Sequence, residues 1–226
     1  MAFAQLTQVF YEPSAAFAAL KERPRAWLPL ILLYVASLGL MIWYFQTVDM
    51  EWMVSNSFPP DMAAEQREAA AKTMSRGVMM GMGIAGVLVG TLVVFCLYGF
   101  YFWLAGKLAS MDLSFKSGFA LAAWASLPGL IGVPLMALQI VTSNGQLAFE
   151  NADMLSLNYL LVHAAPHTPW AGIASALKLT DLWFIALCAI GLRTWTGKSG
   201  GTCAVIAALP YLVIYGAWAS YILIKH

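Results

Sequence analysis

The chain has 226 residues, of which 61% are hydrophobic and only 10% charged, and its mean hydropathy is +0.74. Soluble domains carry about 25% charged residues, so this composition excludes a soluble globular protein and marks an integral membrane protein. A net charge of +1, with no basic run interleaved with aromatics, excludes nucleic acid and gives no reason to expect an acidic partner.

Residues 1–26 contain no span. Phe3, Leu6, Val9 and Phe10 make one apolar stripe, and beyond Glu12-Pro13-Ser14 a second short stretch carrying Phe17 and Leu20 ends at Lys21, Glu22, Arg23 and Pro24. Proline in a first helical turn and just past a last one is the expected punctuation, so two short amphipathic helices lying in the membrane interface are expected. Two acids stand where a secretory signal needs a cationic region, so the first span is expected to stay in the mature protein.

The first span is predicted at residues 27–45. No charge occurs between Arg25 and Asp49, and about 20 apolar residues cross a bilayer. Trp27 at one end and Trp43, Tyr44 and Trp52 at the other suit the two interfacial belts. Residues 49–76 are the most charged part of the chain. There Pro59-Pro60-Asp61 reads as a helix start, Glu68 and Lys72 are spaced to pair, and the helix is expected to run on into the second span.

The second span is predicted at residues 77–106. Its glycines at 77, 81, 86 and 90 contain two GxxxG spacings. These permit close approach of a neighbouring helix, read as packing within the chain in preference to a homodimer face. Met79, Met80 and Met82 read as pliable packing. The third span, residues 118–142, follows a polar turn in which Lys116 marks the cytoplasmic side and Ser117 can cap the helix. Pro128-Gly129, Gly132 and Pro134 interrupt it, so a kink is expected there, and Gln139 is a polar group on the same span.

An exterior connection over residues 143–170 carries Asn144-Gly145, Pro166 and Pro169 as breakers. His163 and His167 are four apart, but Pro166 lies between them and no further ligand follows at metal spacing, so a solvated loop is expected. The fourth span, residues 172–195, has to include Lys178 and Asp181 near its outer end. Spaced three apart, these can share a face and pair, or Lys178 can extend to the headgroups. The fifth span, residues 202–224, has Pro210 in its interior and Gly216 and Ser220 as a small-residue strip. Cys96, Cys188 and Cys203 all lie in apolar runs and read as small hydrophobes.

Lys116-Ser117-Gly118 and Lys198-Ser199-Gly200 each stand twelve positions before a proline reached by a related element, and the thirteen-residue stretches 116–128 and 198–210 share seven identities. A duplicated helical hairpin is the reading, with spans 2–3 and 4–5 as its copies. With the N-terminus in the cytoplasm, seven of the twelve cations lie inside: Lys21, Arg23, Arg25, Lys107, Lys116, Arg193 and Lys198. The chain then reads as an all-α polytopic protein: an interfacial segment 1–26, a five-span membrane domain 27–226, the C-terminus outside, and the two hairpins parallel.

Taken together, Glu12-Pro13-Ser14-Ala15-Ala16-Phe17, Glu22-Arg23-Pro24-Arg25-Ala26-Trp27, the phrase from Phe115 to Pro128, and Leu182-Trp183 through Gly191-Leu192-Arg193 resemble the Yip1 family in its prokaryotic form. The resemblance implies five spans and a cytoplasmic N-terminus. Eukaryotic relatives are tied to Rab-type GTPases, vesicle traffic and membrane shaping. This chain lacks their Asp-Leu-x-Gly-Pro and Tyr-Gly-Tyr phrases, having only Tyr98-Gly99-Phe100, so a GTPase partner is not carried over.

Two functions remain. One is a non-enzymatic membrane organiser or assembly partner in a bacterial inner membrane, meeting the bilayer, a protein partner or its own copies through small-residue helix faces. The other is a small carrier or lipid-translocating protein using the proline-broken third and fifth spans, with Pro128, Gly129, Gln139, Lys178, Asp181 and Pro210 as its polar and hinge positions. An enzyme is not expected, because no nucleophile–base pair, paired carboxylates or metal set can be assembled, and no cofactor is expected either. Gly197-Lys198-Ser199-Gly200-Gly201 lacks the earlier glycine and the strand of a phosphate loop, and reads as a turn.

Overall fold

A computed structural model describes residues 2–58, 62–148, 152–165 and 168–225. Pro59, Pro60, Asp61, Pro166, His167 and His226 lie outside the described residues, and with them the proline-led helix start and the second histidine. Among the described residues the chain is all helical, with no strand. Among the described residues four helices are long and apolar enough to cross a membrane: Trp27–Thr47, Arg76–Leu108, Phe115–Thr142 and Gly200–Lys225.

The chain divides into two compact units. The first comprises Met1–Leu33, Leu92–Leu130 and Lys178–His226. Its helices are α1 (Ala2–Tyr11), α2 (Pro13–Lys21), the start of α3 (Trp27–Thr47), α7 (Thr91–Leu108), α8 (Phe115–Ala125), α11 (Leu179–Thr196) and α12 (Gly200–Lys225). The second comprises Tyr34–Thr91 and Ile131–Leu177. It holds the rest of α3, then α4 (Met50–Asn56), α5 (Ala64–Thr73), α6 (Arg76–Ala85), α9 (Gly132–Thr142) and α10 (Ala171–Ala176).

In the first unit the N-terminal segment is built into the bundle. Val9, Ala16, Phe17 and Leu20 are buried in one apolar core with Phe102, Leu121, Trp124, Leu187 and Leu192. Glycines set how closely the helices approach. A methyl group on Gly191 would run into Leu121 and Phe17, and one on Gly118 would meet Phe102 at 2.8 Å and the Gly99 carbonyl at 3.0 Å. Cys188 and Cys203 are buried in this core, as small hydrophobes.

Pro210 leaves a carbonyl of α12 without its helical donor, and a side chain from another helix reaches it. Pro210, expected inside the fifth span, does not break α12, which runs uninterrupted through it, unlike the broken fifth helix of the carrier reading. The carbonyl one turn back, on Ile206, accepts from the Tyr101 hydroxyl at 2.6 Å. The Arg25 carbonyl, just before α3, accepts from the Trp124 indole at 2.7 Å. In a medium with no water to substitute, an unmet carbonyl costs up to several kcal/mol, so the Tyr101 donor lets Pro210 persist.

The third span does not unwind at Pro128. It tightens into a 3-10 turn over Leu127–Ile131 between α8 and α9, with the Gly129 N–H donating to Ser126 at 3.0 Å. The fourth span differs most from expectation. It is two helices, α10 and α11, parted at Leu177 and an extended Lys178 (φ −124°, ψ 150°). The Asp181 carboxylate accepts from the Lys178 N–H at 2.8 Å and so starts a new helix there. The resulting α11 has 18 residues and is not one of the four qualifying helices.

In the second unit, Arg76 donates to the Phe45 carbonyl and, at 3.0 Å, to the Val48 carbonyl, placing a cation on the C-terminal end of α3. That requirement, and the Ser75 cap on Val78 (3.4 Å), end α5 before α6 begins, so the charged helix does not continue into the second span as expected. Glu68 and Lys72 pair at 3.0 Å as their spacing predicts. Gly145, at φ +81°, lies against the Thr47 carbonyl, where any side chain would clash, and its own carbonyl accepts from the Asp49 N–H at 2.9 Å. Tyr44, expected in an interfacial belt, is instead buried and donates to the Leu147 carbonyl at 2.8 Å.

Met79 and Met80 pack on the core of Tyr44, Phe45, Val48, Met53 and Ile140, as pliable packing should, while Met82 is exposed. Between α6 and α7 the helix widens into a π turn over Gly86–Gly90, and the Tyr34 hydroxyl donates to its Leu88 carbonyl at 2.9 Å. The glycine spacings here are not used as expected. A methyl group on Gly77, Gly81, Gly86 or Gly90 would meet nothing within 4 Å, whereas Gly83 is the one pressed on Met41.

Candidate functional site

Among the helices of the first unit the half-buried Asp181 carboxylate ties two elements together. One oxygen accepts from the Lys178 N–H and the other from the Tyr211 hydroxyl at 3.2 Å. Tyr211 thus joins α12 to the first turn of α11, and Tyr98 brings α7 to the same cluster through Phe184. Phe184 packs on both tyrosines, with ring centroids at 5.1 Å from Tyr98 and 6.1 Å from Tyr211, and the ladder continues through Tyr215 to Trp218. An acid in the first turn favours the helix dipole. The arrangement is therefore chemically a clamp: one carboxylate satisfies a helix start and a neighbouring helix together.

A second constellation fastens the N-terminal helices. The Trp195 indole donates to the Phe17 carbonyl at 2.7 Å in a buried bond, and the two rings meet edge to face at 6.1 Å. Phe10 meets Trp183 edge to face at 5.7 Å. Trp183 and Trp195 are twelve residues apart on α11, about 18 Å by helical rise, so the N-terminal helices touch α11 along much of its length.

Of the residues singled out in the sequence, Lys178 and Asp181 come together, and Pro210 brings Tyr211 to them. Pro128 and Gly129 form the 3-10 turn of the same unit. Gln139 belongs to the other unit, on α9, where its side-chain oxygen is buried without a hydrogen-bond partner. The two turns are not capped alike. Ser199 caps α12, accepting from the Thr202 N–H at 3.2 Å. In the first copy Ser114 is the cap, accepting from the Ser117 N–H at 3.1 Å, so Ser117 lies inside α8 with Lys116 and Gly118. Both turns nevertheless pair hydroxyls three apart, Ser114 with Ser117 at 2.8 Å and Ser199 with Thr202 at 2.9 Å.

Sequence reasoning missed Tyr98, Tyr211, Trp124 and Trp195. The available signals were Tyr211 and Tyr215 one turn apart behind a proline, and tryptophans within apolar runs.

The Yip1 domain family model matches residues 7–221. The chain belongs to the Yip1 family. Among curated proteins this Yip1-family chain is similar to membrane protein YknW of Bacillus subtilis (strain 168), with 21% identity over 218 residues, covering 95% of this chain and 89% of that one. No solved structure matches it. Clamp and N-terminal dock both lie inside the matched residues. Among the described residues, no group of three or more His, Cys, Asp or Glu is placed to hold a metal ion.

Proposed function

We propose that this protein is a non-enzymatic membrane organiser or assembly partner, set in a bacterial inner membrane with its N-terminus in the cytoplasm and its C-terminus outside. The observation that carries the reading is the bareness of its longest helix. Only 6% of the most apolar stretch of Arg76–Leu108 is buried, and Gly77, Gly81, Gly86 and Gly90 leave open space along it. The first half of that helix, with no buried residue over Arg76–Gly90 and with glycines that admit a close neighbour, suits a partner's helix or a second copy. The heart of the first unit is filled rather than hollow: Phe17, Leu121, Leu187 and Leu192 are almost wholly buried around Gly191. That filling favours the organiser over the carrier, since carriers place sites at broken helices lining a cavity.

Five spans, with α11 as the fourth, accompany this reading. Leu121, about two turns into α8, meets Gly191, about two turns before the end of α11, and Tyr101 meets Ile206 at a matching depth. Such pairing supports both Lys-bearing turns on one face and hence parallel hairpins. Affinity purification from membranes in mild detergent tests the organiser: wild type should return with a partner or as an oligomer, and Gly81→Leu with Gly86→Leu should lose it. A wild-type chain that returns alone and monomeric overturns the proposal.

A further inference from the structure

An apolar groove of about 540 Å³ runs between the last turns of α7 and the first turns of α12 in the first unit. Leu104, Ala105 and Leu108 line it from α7, and Gly201, Val205 and Leu209 from α12. Two polar side chains reach it, and both are already engaged: Tyr101 with the Ile206 carbonyl at 2.6 Å and Thr202 with Ser199 at 2.9 Å. The groove therefore offers a ligand no unmet donor or acceptor, and hydrocarbon is what fits.

Basic residues adjoin these lining residues. Lys107 adjoins Leu108 in the last turn of α7, Lys198 lies in the turn leading into α12, and an Arg193 guanidinium nitrogen is 3.9 Å from where a Cβ on Gly200 would stand. The facing turn over residues 109–114 contributes one acid, Asp112, against these three cations. The start of α12 adds the positive end of a helix dipole. An apolar slot whose two helix ends carry adjoining cations is complementary to a molecule that is hydrocarbon at one end and anionic at the other.

We infer that this groove binds one anionic phospholipid, an acyl chain lying between Leu104 and Val205 and the phosphate against Arg193, Lys198 and Lys107. A second copy of the chain fits less well, because a two-fold contact there would set the same cations against each other. The inference does not depend on the organiser reading.

The test uses the full chain purified in detergent, mixed with phosphatidylglycerol or phosphatidylcholine and examined by native mass spectrometry. Wild type should retain one phosphatidylglycerol in clear preference to phosphatidylcholine. Arg193→Gln and Lys198→Gln should each lower that preference about fivefold, the effect of about one cation near a lipid phosphate. Gly201→Trp, at a position with open space around it, and Ala105→Phe across the groove should each abolish retention of both lipids. Their unfolding temperatures without lipid should stay at the wild-type value, and a filled variant that folds yet keeps its lipid overturns the inference. So does equal retention of the two lipids by wild type, displacement of the lipid by glycerol 3-phosphate, or a dimer that Gly201→Trp dissolves.

Discussion

Tyr101→Phe removes one hydroxyl from the protein and tests why Pro210 is tolerated inside α12. In wild type the Ile206 carbonyl has no N–H one turn on, because residue 210 is proline, and the Tyr101 hydroxyl reaches it at 2.6 Å. Deleting the hydroxyl leaves that carbonyl unmet within an apolar helix pair. Interhelical hydrogen bonds in membranes average about 0.6 kcal/mol and reach about 1.7, and an orphaned group adds to that, so a loss of about 1.5 kcal/mol is expected. Pro210→Ala restores a backbone donor to the same carbonyl. In that background the hydroxyl is a redundant second donor, and its removal should cost about 0.5 kcal/mol or less, a coupling of about 1 kcal/mol. The four proteins can be compared by unfolding in mixed micelles with increasing dodecyl sulfate, read by tryptophan fluorescence. Equal costs of Tyr101→Phe in the two backgrounds, within about 0.3 kcal/mol, would refute the account.

Gly191→Ala should destabilise by about 1–3 kcal/mol in the same assay, because its methyl group runs into Leu121 and Phe17, while Gly77→Ala, with open space around it, should be neutral. Trp195→Phe keeps the ring and loses the bond to the Phe17 carbonyl, so amide exchange in Pro13–Lys21 should quicken by about fivefold, the equivalent of about 1 kcal/mol, with α12 unchanged. Asp181→Ala removes the acceptor for both the Lys178 N–H and the Tyr211 hydroxyl and should cost about 2 kcal/mol, whereas Asp181→Asn, retaining one acceptor, should cost about half as much. Reporter fusions after residues 110 and 197 should fall on the same side of the membrane, and opposite sides would reject the parallel hairpins.

Local chemistry was enough for much of this protein. Apolar run length marks its membrane helices, because a bilayer demands about 20 residues without charge whatever packs beside them. Spacing was enough for the Glu68–Lys72 pair, and composition for two buried cysteines, since these follow from neighbours in the chain or from solvent alone. Family membership, too, was legible in phrases such as Glu12 to Phe17 and Leu182 to Arg193.

What depended on distant partners was not legible. Whether a proline breaks a helix depends on a donor from elsewhere: Tyr101 lets α12 run straight through Pro210, a bond between residues 105 positions apart. Which glycines permit close approach depends on what comes near them, so Gly191 and Gly118 are pressed while the glycines in GxxxG spacing face open space. The N-terminal helices read as amphipathic either way, and it takes distant contacts, such as the buried Trp195 bond to Phe17 across 178 residues, to fasten them to α11. Periodicity reports how a segment meets its surroundings, and those surroundings are made by the rest of the fold.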